Sequence, residues 1–303
     1  MCKHILFIYE WVMYMVIIRR LLFIMSIVIL SSNAFAEKCT SENSKRFSFT
    51  PDVGFGNEYK KSLGNNFKKH GVCIVEKSQG HPTRLGQQSL RFEVKPGDCG
   101  YSDFQGKVLH SDCKKDRERH ELSGRRHNDG EYWYSWSIFL PDDFINIFPT
   151  KLAMGQFHQA DESGGHVVWM LQNSVGGYHI DNQVNGYTRY EMEVLESKDM
   201  IGKWNDIIIN SKWTHLKDGY FRLWVNGKLL LNHSGPTKTE GRKVYHKFGI
   251  YRSFMKRFKK YNNTDKVPGQ VVYFDEVRTS KSCNKLKLKE LGYNCQDLSA
   301  SIN

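Results

Sequence analysis

Over much of the chain, apolar and polar residues alternate in short runs separated by Gly, Asn and Asp. Side chains of an extended strand point to opposite faces in turn, so this pattern predicts half-buried β-strands. The clearest case is residues 220–232. There Phe221, Leu223 and Val225 alternate with Arg222 and Trp224, Asn226-Gly227 follows, and residues 228–231 return. A two-residue hairpin turn needs positive φ at both central positions, which Asn and Gly adopt at low cost. Residues 205–209 and 271–278 read as further strands, as does the aromatic-rich segment 132–140, closed by the turn Pro141-Asp142-Asp143. Helical periodicity is scarce, and residues 285–291 are one short candidate. With no internal repeat, Pro-rich linker or low-complexity block, the prediction is one all-β domain, an antiparallel sandwich or jelly roll.

The N-terminus reads differently. Residues 21–30 are apolar apart from Ser26, follow Arg19-Arg20, and precede Ser31, Ser32 and Ala34-Phe35-Ala36. This is the layout of a secretory signal peptide with a small-x-small cleavage site, so residues 1–36 are set aside as a signal and 37–303 as the mature domain. The opposing reading is an uncleaved anchor, because residues 1–18 are also apolar and the combined stretch is long enough to span a bilayer. Of seven cysteines only Cys2 lies in the signal. The other six favour disulfides in an exported chain, with Cys39–Cys73, Cys99–Cys113 and Cys283–Cys295 as the expected pairs. No Cys-x-x-Cys occurs, against a structural zinc site. The formal charge is +12, and loss of Lys3, Arg19, Arg20 and Glu10 with the signal lowers it by two. A basic exported protein points to an anionic partner or to a generally basic surface.

Three segments carry the candidate chemistry. In residues 245–251, Tyr245, Lys247, Gly249 and Tyr251 share one strand face, while Phe248 and Ile250 point to a core. Gly249 leaves room for a ligand to approach the backbone. Gln156 and His158 share a face, with Phe157 opposite. Arg117, Arg119 and Glu121 share a third, where Arg119 and Glu121 also suit a simple ion pair. Each segment taken singly also fits a solvated strand face. Together they supply what is needed to remove a proton from carbon beside a sugar carboxylate. Arg119 offers a planar fork for the carboxylate and Gln156 an amide donor. His158 is neutral near neutral pH and Tyr251 protonated, so His158 suits a base and Tyr251 an acid. A nearby Lys247 would favour tyrosinate, which leaves Tyr251 open as the base.

Arg-x-Glu-Leu at 119–122, Gln-x-His at 156–158 and Tyr-x-Lys-x-Gly-x-Tyr at 245–251 resemble the signature strands of the jelly-roll alginate lyases. Residues 132–144, Gly202-Lys203-Trp204, Trp224-Val225-Asn226-Gly227-Lys228, residues 247–252 and residues 273–278 resemble the heparin lyase I-like polysaccharide lyases. The second resemblance is favoured and runs from about Arg119 to Arg278. It implies a β-jelly roll of concanavalin-like antiparallel type, and β-elimination at a uronic acid. It implies His158 and Tyr251 as catalytic residues and Lys247 as a contact to substrate, and the alginate-lyase version adds Arg119 and Gln156 as catalytic groups that neutralise the carboxylate; Tyr245, Arg252 and Glu121 are further candidate contacts to substrate. Phe157, Phe248 and His120 depart from the alginate-lyase pattern. Asp275 on a late strand is a candidate ligand for a structural Ca²⁺, since related sandwiches bind one near such a residue and calcium takes oxygen ligands; the chemistry itself needs no cofactor.

No Glu-x-Asp-x-x-Glu strand of the sandwich glycosidases occurs, and Glu191 and Glu193 read as solvated charges. Lys256, Arg257, Lys259 and Lys260 follow Tyr251 and either line the groove or form a solvated basic loop. The expected partner is an anionic polysaccharide. Nucleic acid is not expected, since export, cysteines and the lack of a nucleic-acid motif argue against it. No stable membrane association is expected after cleavage, and the protein is expected to be a monomer. The competing reading is a non-catalytic carbohydrate-binding jelly roll.

Overall fold

The computed structural model describes residues 38–39, 44–161, 164–173, 177–184 and 190–302. Residues 1–36, expected above to be a signal peptide, lie outside these. In chain order the strands are β1 (Lys38–Cys39), β2 (Arg46–Phe47), β3 (Gly54–Phe55), β4 (Tyr59–Lys61), β5 (Val72–Glu76), β6 (Gln88–Val94), β7 (Tyr101–Phe104), β8 (Lys107–Ser111) and β9 (Arg117–Gly124). They continue with β10 (Gly130–Phe139), β11 (Lys151–Asp161), β12 (Gly164–Asn173), β13 (Tyr178–Asn182), β14 (Tyr190–Leu195), β15 (Trp204–Trp213), β16 (Tyr220–Val225), β17 (Lys228–Ser234), β18 (Lys243–Ser253) and β19 (Gln270–Ser280). One sheet runs β1-β5-β6-β19-β10-β15-β16-β17, with β3 added parallel to β19. The second runs β14-β13-β12-β11-β18-β9-β4-β2 and is antiparallel throughout, and β7 and β8 form a separate hairpin.

The two large sheets face each other across an aromatic core. Phe248 of the second sheet meets Phe92 and Phe274 of the first, with ring centres 5.4 and 5.1 Å apart. Phe157 meets Trp213 at 5.1 Å in the same layer. Alternation in β18 therefore works as predicted: Phe248 and Ile250 enter the core and the odd-numbered residues face away from it. The predicted hairpin is β16–β17, with Asn226 and Gly227 at φ 50° and 80°. The three expected disulfides are the ones present.

Residues 285–291 form no regular helix. Two 3₁₀ turns, Cys283–Leu286 and Leu288–Leu291, are broken by Lys287 at φ 55°. Leu286, Leu288 and Leu291 lie over Trp133, Ile208 and Trp224 on the outer side of the first sheet. Burial of leucines, aided by Cys283–Cys295, decides the conformation of a segment too short to be a stable helix. Among the described residues no helix is long and apolar enough to cross a membrane.

Three histidines are buried, and loss of hydration lowers their pKa: His120 and His127 to about 4 and His246 to about 3. Between these values and the ordinary 6.5, the unfolded chain binds protons that the folded chain does not. Their contribution is thus intact above about pH 6.5 and is lost as pH falls. Burial lowers His110, His158 and His233 in the same sense. Asp275 and Glu276 act in the opposite sense, because burial raises their carboxyls, that of Asp275 to about 8, but the lowered histidines outnumber them. Stability should therefore fall below about pH 6.5, by about 1.4 kcal/mol per pH unit for each uncompensated proton. Urea midpoints measured from pH 7.5 down to 4.5 check this, and a flat or rising profile would contradict it.

Candidate functional site

On the side of the second sheet away from the core, Arg119 and Glu121 of β9, Gln156 of β11 and Lys247 of β18 come together. Strand register explains why. Lys247 lies opposite Gln156 on one side and Ser123 on the other, and Tyr251 lies opposite Arg119. These polar side chains are almost completely enclosed: Arg119 is 7% exposed, Glu121 1%, Gln156 2% and Lys247 4%. A solvated strand face would not look like this.

Glu121 is the common acceptor. Lys247 Nζ lies 2.6 Å from its Oε2 and Arg119 donates to the same oxygen at 3.2 Å, while Gln156 Nε2 donates to Oε1. Arg119 is gripped a second time, with Nε and Nη2 donating to Asp112 at 2.5 and 2.9 Å. Asp112 ends the β7–β8 hairpin, whose base is closed by Cys99–Cys113. The guanidinium lies 3.9 Å from the centre of the Tyr251 ring, a cation–π arrangement. Burial lowers the Lys247 pKa, with Glu121 acting in the opposite direction. Burial raises that of Tyr251, and Arg119 opposes the rise.

His158 lies opposite Tyr245, not Tyr251. Its Nδ1 is 3.2 Å from the Gln159 carbonyl and 3.0 Å from the Tyr245 hydroxyl. A carbonyl oxygen only accepts, so Nδ1 carries the proton and Nε2 keeps its lone pair. Burial, then Lys247, holds the His158 pKa well below 6.5. Burial pushes Tyr245 up to about 12. Among the described residues His158 and Tyr251 share no hydrogen bond; they flank the Glu121 cluster from opposite sides.

Other expected site residues sit elsewhere. Arg252 is on the core-facing side of β18, fully buried, with Nε donating to Glu118 at 2.6 Å and Nη1 to the Pro268 carbonyl. Alternation along β18 turns it away from Tyr251, so it makes no contact with the exposed face. Asp275 lies in the first sheet, where its carboxylate accepts backbone N–H groups from Arg84, Glu276 and Leu85. Donors of this kind do not fit a calcium site, which needs free oxygen lone pairs. His70, Asp98 and His120 cluster like metal ligands. However, His120 Nδ1 donates to the Glu93 carbonyl and Nε2 accepts from the Lys68 amide, so neither nitrogen is available to an ion. Lys256, Arg257, Lys259 and Lys260 form a short helix, Met255–Tyr261, and give no side chain to the Glu121 cluster. Gly249 serves the backbone: at φ 126° an added Cβ would lie 2.5 Å from the His120 carbonyl oxygen and 2.8 Å from the Phe92 ring.

The chain matches the polysaccharide lyase family over residues 76–278 and belongs to that family. Among solved structures it is similar to an endo-β-1,4-glucuronan lyase from the fungus Trichoderma reesei, with 15% identity, 76% of this chain and 94% of that one covered, and a TM-score of 0.50. It is also similar to alginate lyases from a Chlorella virus (14% identity, 70% and 91% covered, TM-score 0.43) and from Pseudomonas aeruginosa (14%, 69% and 93%, TM-score 0.41). At these identities the likeness concerns the fold, a β-jelly roll. No curated protein sequence matches the chain. The enzyme is a polysaccharide lyase, and the match does not single out the heparin lyase I-like branch.

Glu121→Ala should be severely destabilising, because it leaves Lys247 buried without its carboxylate, a loss of about 3–5 kcal/mol. Lys247, already depressed by burial, can escape by losing its proton. The penalty is therefore complete well below the ordinary lysine pKa of about 10.4 and shrinks as pH rises toward it. Denaturant midpoints of wild type and variant at neutral and alkaline pH would show this convergence. A pH-independent gap would mean that the pair is not what Glu121 stabilises.

Proposed function

We infer that this lyase cleaves a uronate-containing polysaccharide by β-elimination, and that it does so after export. The observation that carries the reading is the convergence of three donors, Arg119, Gln156 and Lys247, on one enclosed patch flanked by His158 and Tyr251. The proton at C5 of a uronate is poorly acidic while its carboxylate keeps full charge. Donors fixed in advance around that carboxylate stabilise the enolate-like charge that develops as the proton leaves. Glu121 and Asp112 leave Arg119 with two unused N–H groups, and Lys247 and Gln156 keep further N–H bonds for a substrate.

In this reading Nε2 of His158 takes the C5 proton. The C4–O4 bond then breaks, a C4–C5 double bond forms, and Tyr251 gives its proton to the departing O4. The low pKa of His158 keeps it neutral, and the raised pKa of Tyr251 keeps its proton in place. The Gln159 carbonyl fixes the His158 tautomer, and the Tyr245 hydroxyl lies beside the same nitrogen. Glucuronan and alginate are the substrates that the names of the similar structures carry, and both are polyuronates. The three disulfides suit an oxidising compartment outside the cytosol. A binding protein without turnover is the second reading, favoured by the fact that Arg119, Lys247 and Gln156 already hold a protein carboxylate.

Ultraviolet absorbance of unsaturated uronate, followed with glucuronan, alginate, hyaluronan, heparan sulfate and heparin, separates the two. Turnover is expected with at least one polymer. His158→Ala and Tyr251→Phe should each lower kcat by about 10²–10⁴-fold. The acid limb of kcat/KM should lie below the ordinary histidine value of about 6.5, because His158 stays neutral to lower pH. Tight binding without product from any polymer would establish the second reading. An acid limb at or above 6.5 would remove His158 as the base.

A further inference from the structure

Cross-strand register extends one row of side chains well beyond the Glu121 cluster. Gln156 faces Lys247, Lys247 faces Ser123, Ser123 faces Lys60, and Lys60 faces Arg46. Residues paired in this way point to the same side of a sheet. With strands about 4.8 Å apart, Lys60 lies roughly 10 Å and Arg46 roughly 14 Å across the sheet from Lys247. A cleft of about 1200 Å³ occupies this edge and reaches Tyr245, the partner of His158. Its walls carry Lys45, Arg46, Lys60, Arg125, Arg126 and Lys243, all exposed, against a single acid, Glu58. Among the described residues none of the six cations is in an ion pair. Six unpaired like charges around one cleft repel one another, so the arrangement is unfavourable unless an anion shares it.

The charge balance nearer the reacting groups sharpens the point. Arg119 and Lys247 are matched by Asp112 and Glu121, so the centre of the site is electrically neutral. At the opposite end the same row continues through Met170 to Asp181 and Glu191, and Glu193 shares that face. Asp181 is paired there with Lys151, and Glu191 and Glu193 lie beside His179, so the surplus of positive charge is at β4 and β2 and a polyanion is attracted to that edge. Lys45, Arg46 and Lys60 precede residue 76, outside the stretch that matches the family.

We propose that the β2–β4 edge is an extended binding site for the anionic arm of the polymer. It takes carboxylates of sugar units several positions from the reacting bond and sets a preference for long, uniformly charged chains. The proposal rests on the polysaccharide reading above for the identity of its ligand.

The test compares wild type with Lys45→Ser/Arg46→Ser/Lys60→Ser, and with the conservative Arg46→Lys/Lys60→Arg. The probes are glucuronan and alginate, as long chains and as short oligomers of defined length. Binding is measured by calorimetry over a range of salt, with product absorbance followed in parallel. The triple variant should bind the long chains about tenfold more weakly. Its slope of log K against log salt should be shallower by about two to three, one for each lost contact. The shortest oligomers should lose less, and the conservative variant should bind as wild type does. Unchanged affinity and salt slope for long chains would overturn the proposal. So would an equal loss on the shortest oligomers, or no binding of either polymer by wild type. Weakened binding with no product from any polymer would remove the lyase reaction on uronates and leave this edge standing. Product formation with unchanged binding would do the reverse.

Discussion

The carboxylate of Glu121 is the constraint on which the site depends. It lies in a nearly dry layer with Lys247 and Arg119 as its cations and Gln156 as a neutral donor. Removing charges from water costs several kcal/mol per ion, and their mutual attraction repays this only when every partner is present and well aimed. Asp112 completes the set by accepting from Nε and Nη2 of Arg119. Two positive and two negative groups thus hold one another in fixed positions. Tyr251 and His158 are set at the margins of that block, where their own pKa values follow from burial and from the same cations. Rigidity of this kind is what a site needs if its donors are to be in place before charge develops on a substrate.

The backbone devices beneath the cluster serve the same end. Gly249 sits between Lys247 and Tyr251 at φ 126°, with β9 so close that no side chain fits. The register of β11 against β18 shifts between Ala153 and Gly155. Such irregularities bend a strand and re-aim its side chains. On the other flank, the Cys99–Cys113 disulfide fixes the base of the hairpin that brings buried Asp112 to Arg119. Sheet geometry places the candidate reacting groups, and a staple outside the two main sheets orients the guanidinium.

Much of this was legible in the sequence because it is local. Period-two alternation placed Tyr245, Lys247 and Tyr251 on one face and Phe248 in the core, and Asn226-Gly227 marked its hairpin. Three cysteine pairs followed from spacing and parity. The same alternation also excluded Arg252 from the face of Tyr251, a signal outweighed in the sequence reading by a family motif that continues to residue 252. Asp112 gave no sign, since it stands outside any periodic run and its role depends on a contact with Arg119 set by folding. The basic edge was invisible for a related reason. β2 and β4 have two and three residues, too few for a period, and only their pairing with β9 aligns Arg46 and Lys60 with Lys247. Conversely, the basic segment after Tyr251 drew attention by composition alone and proved to be a short helix beside the cluster.

On the proposed reading, neutrality at the centre and positive charge at one rim divide two tasks that a lyase acting on a polyanion must perform. A strongly cationic centre would hold the substrate carboxylate as firmly before reaction as during it, and uniform binding of that sort does not lower the barrier. With Arg119 and Lys247 already satisfied by Asp112 and Glu121, the gain from an added carboxylate is small until charge spreads onto its oxygens. Long-range attraction then has to come from elsewhere, and exposed, unpaired cations in a cleft supply it with strong dependence on salt. In that reading the chemistry is insulated from ionic strength by burial while capture is not. The separation accounts for why a chain with so large an excess of positive charge places none of that excess among its candidate reacting groups.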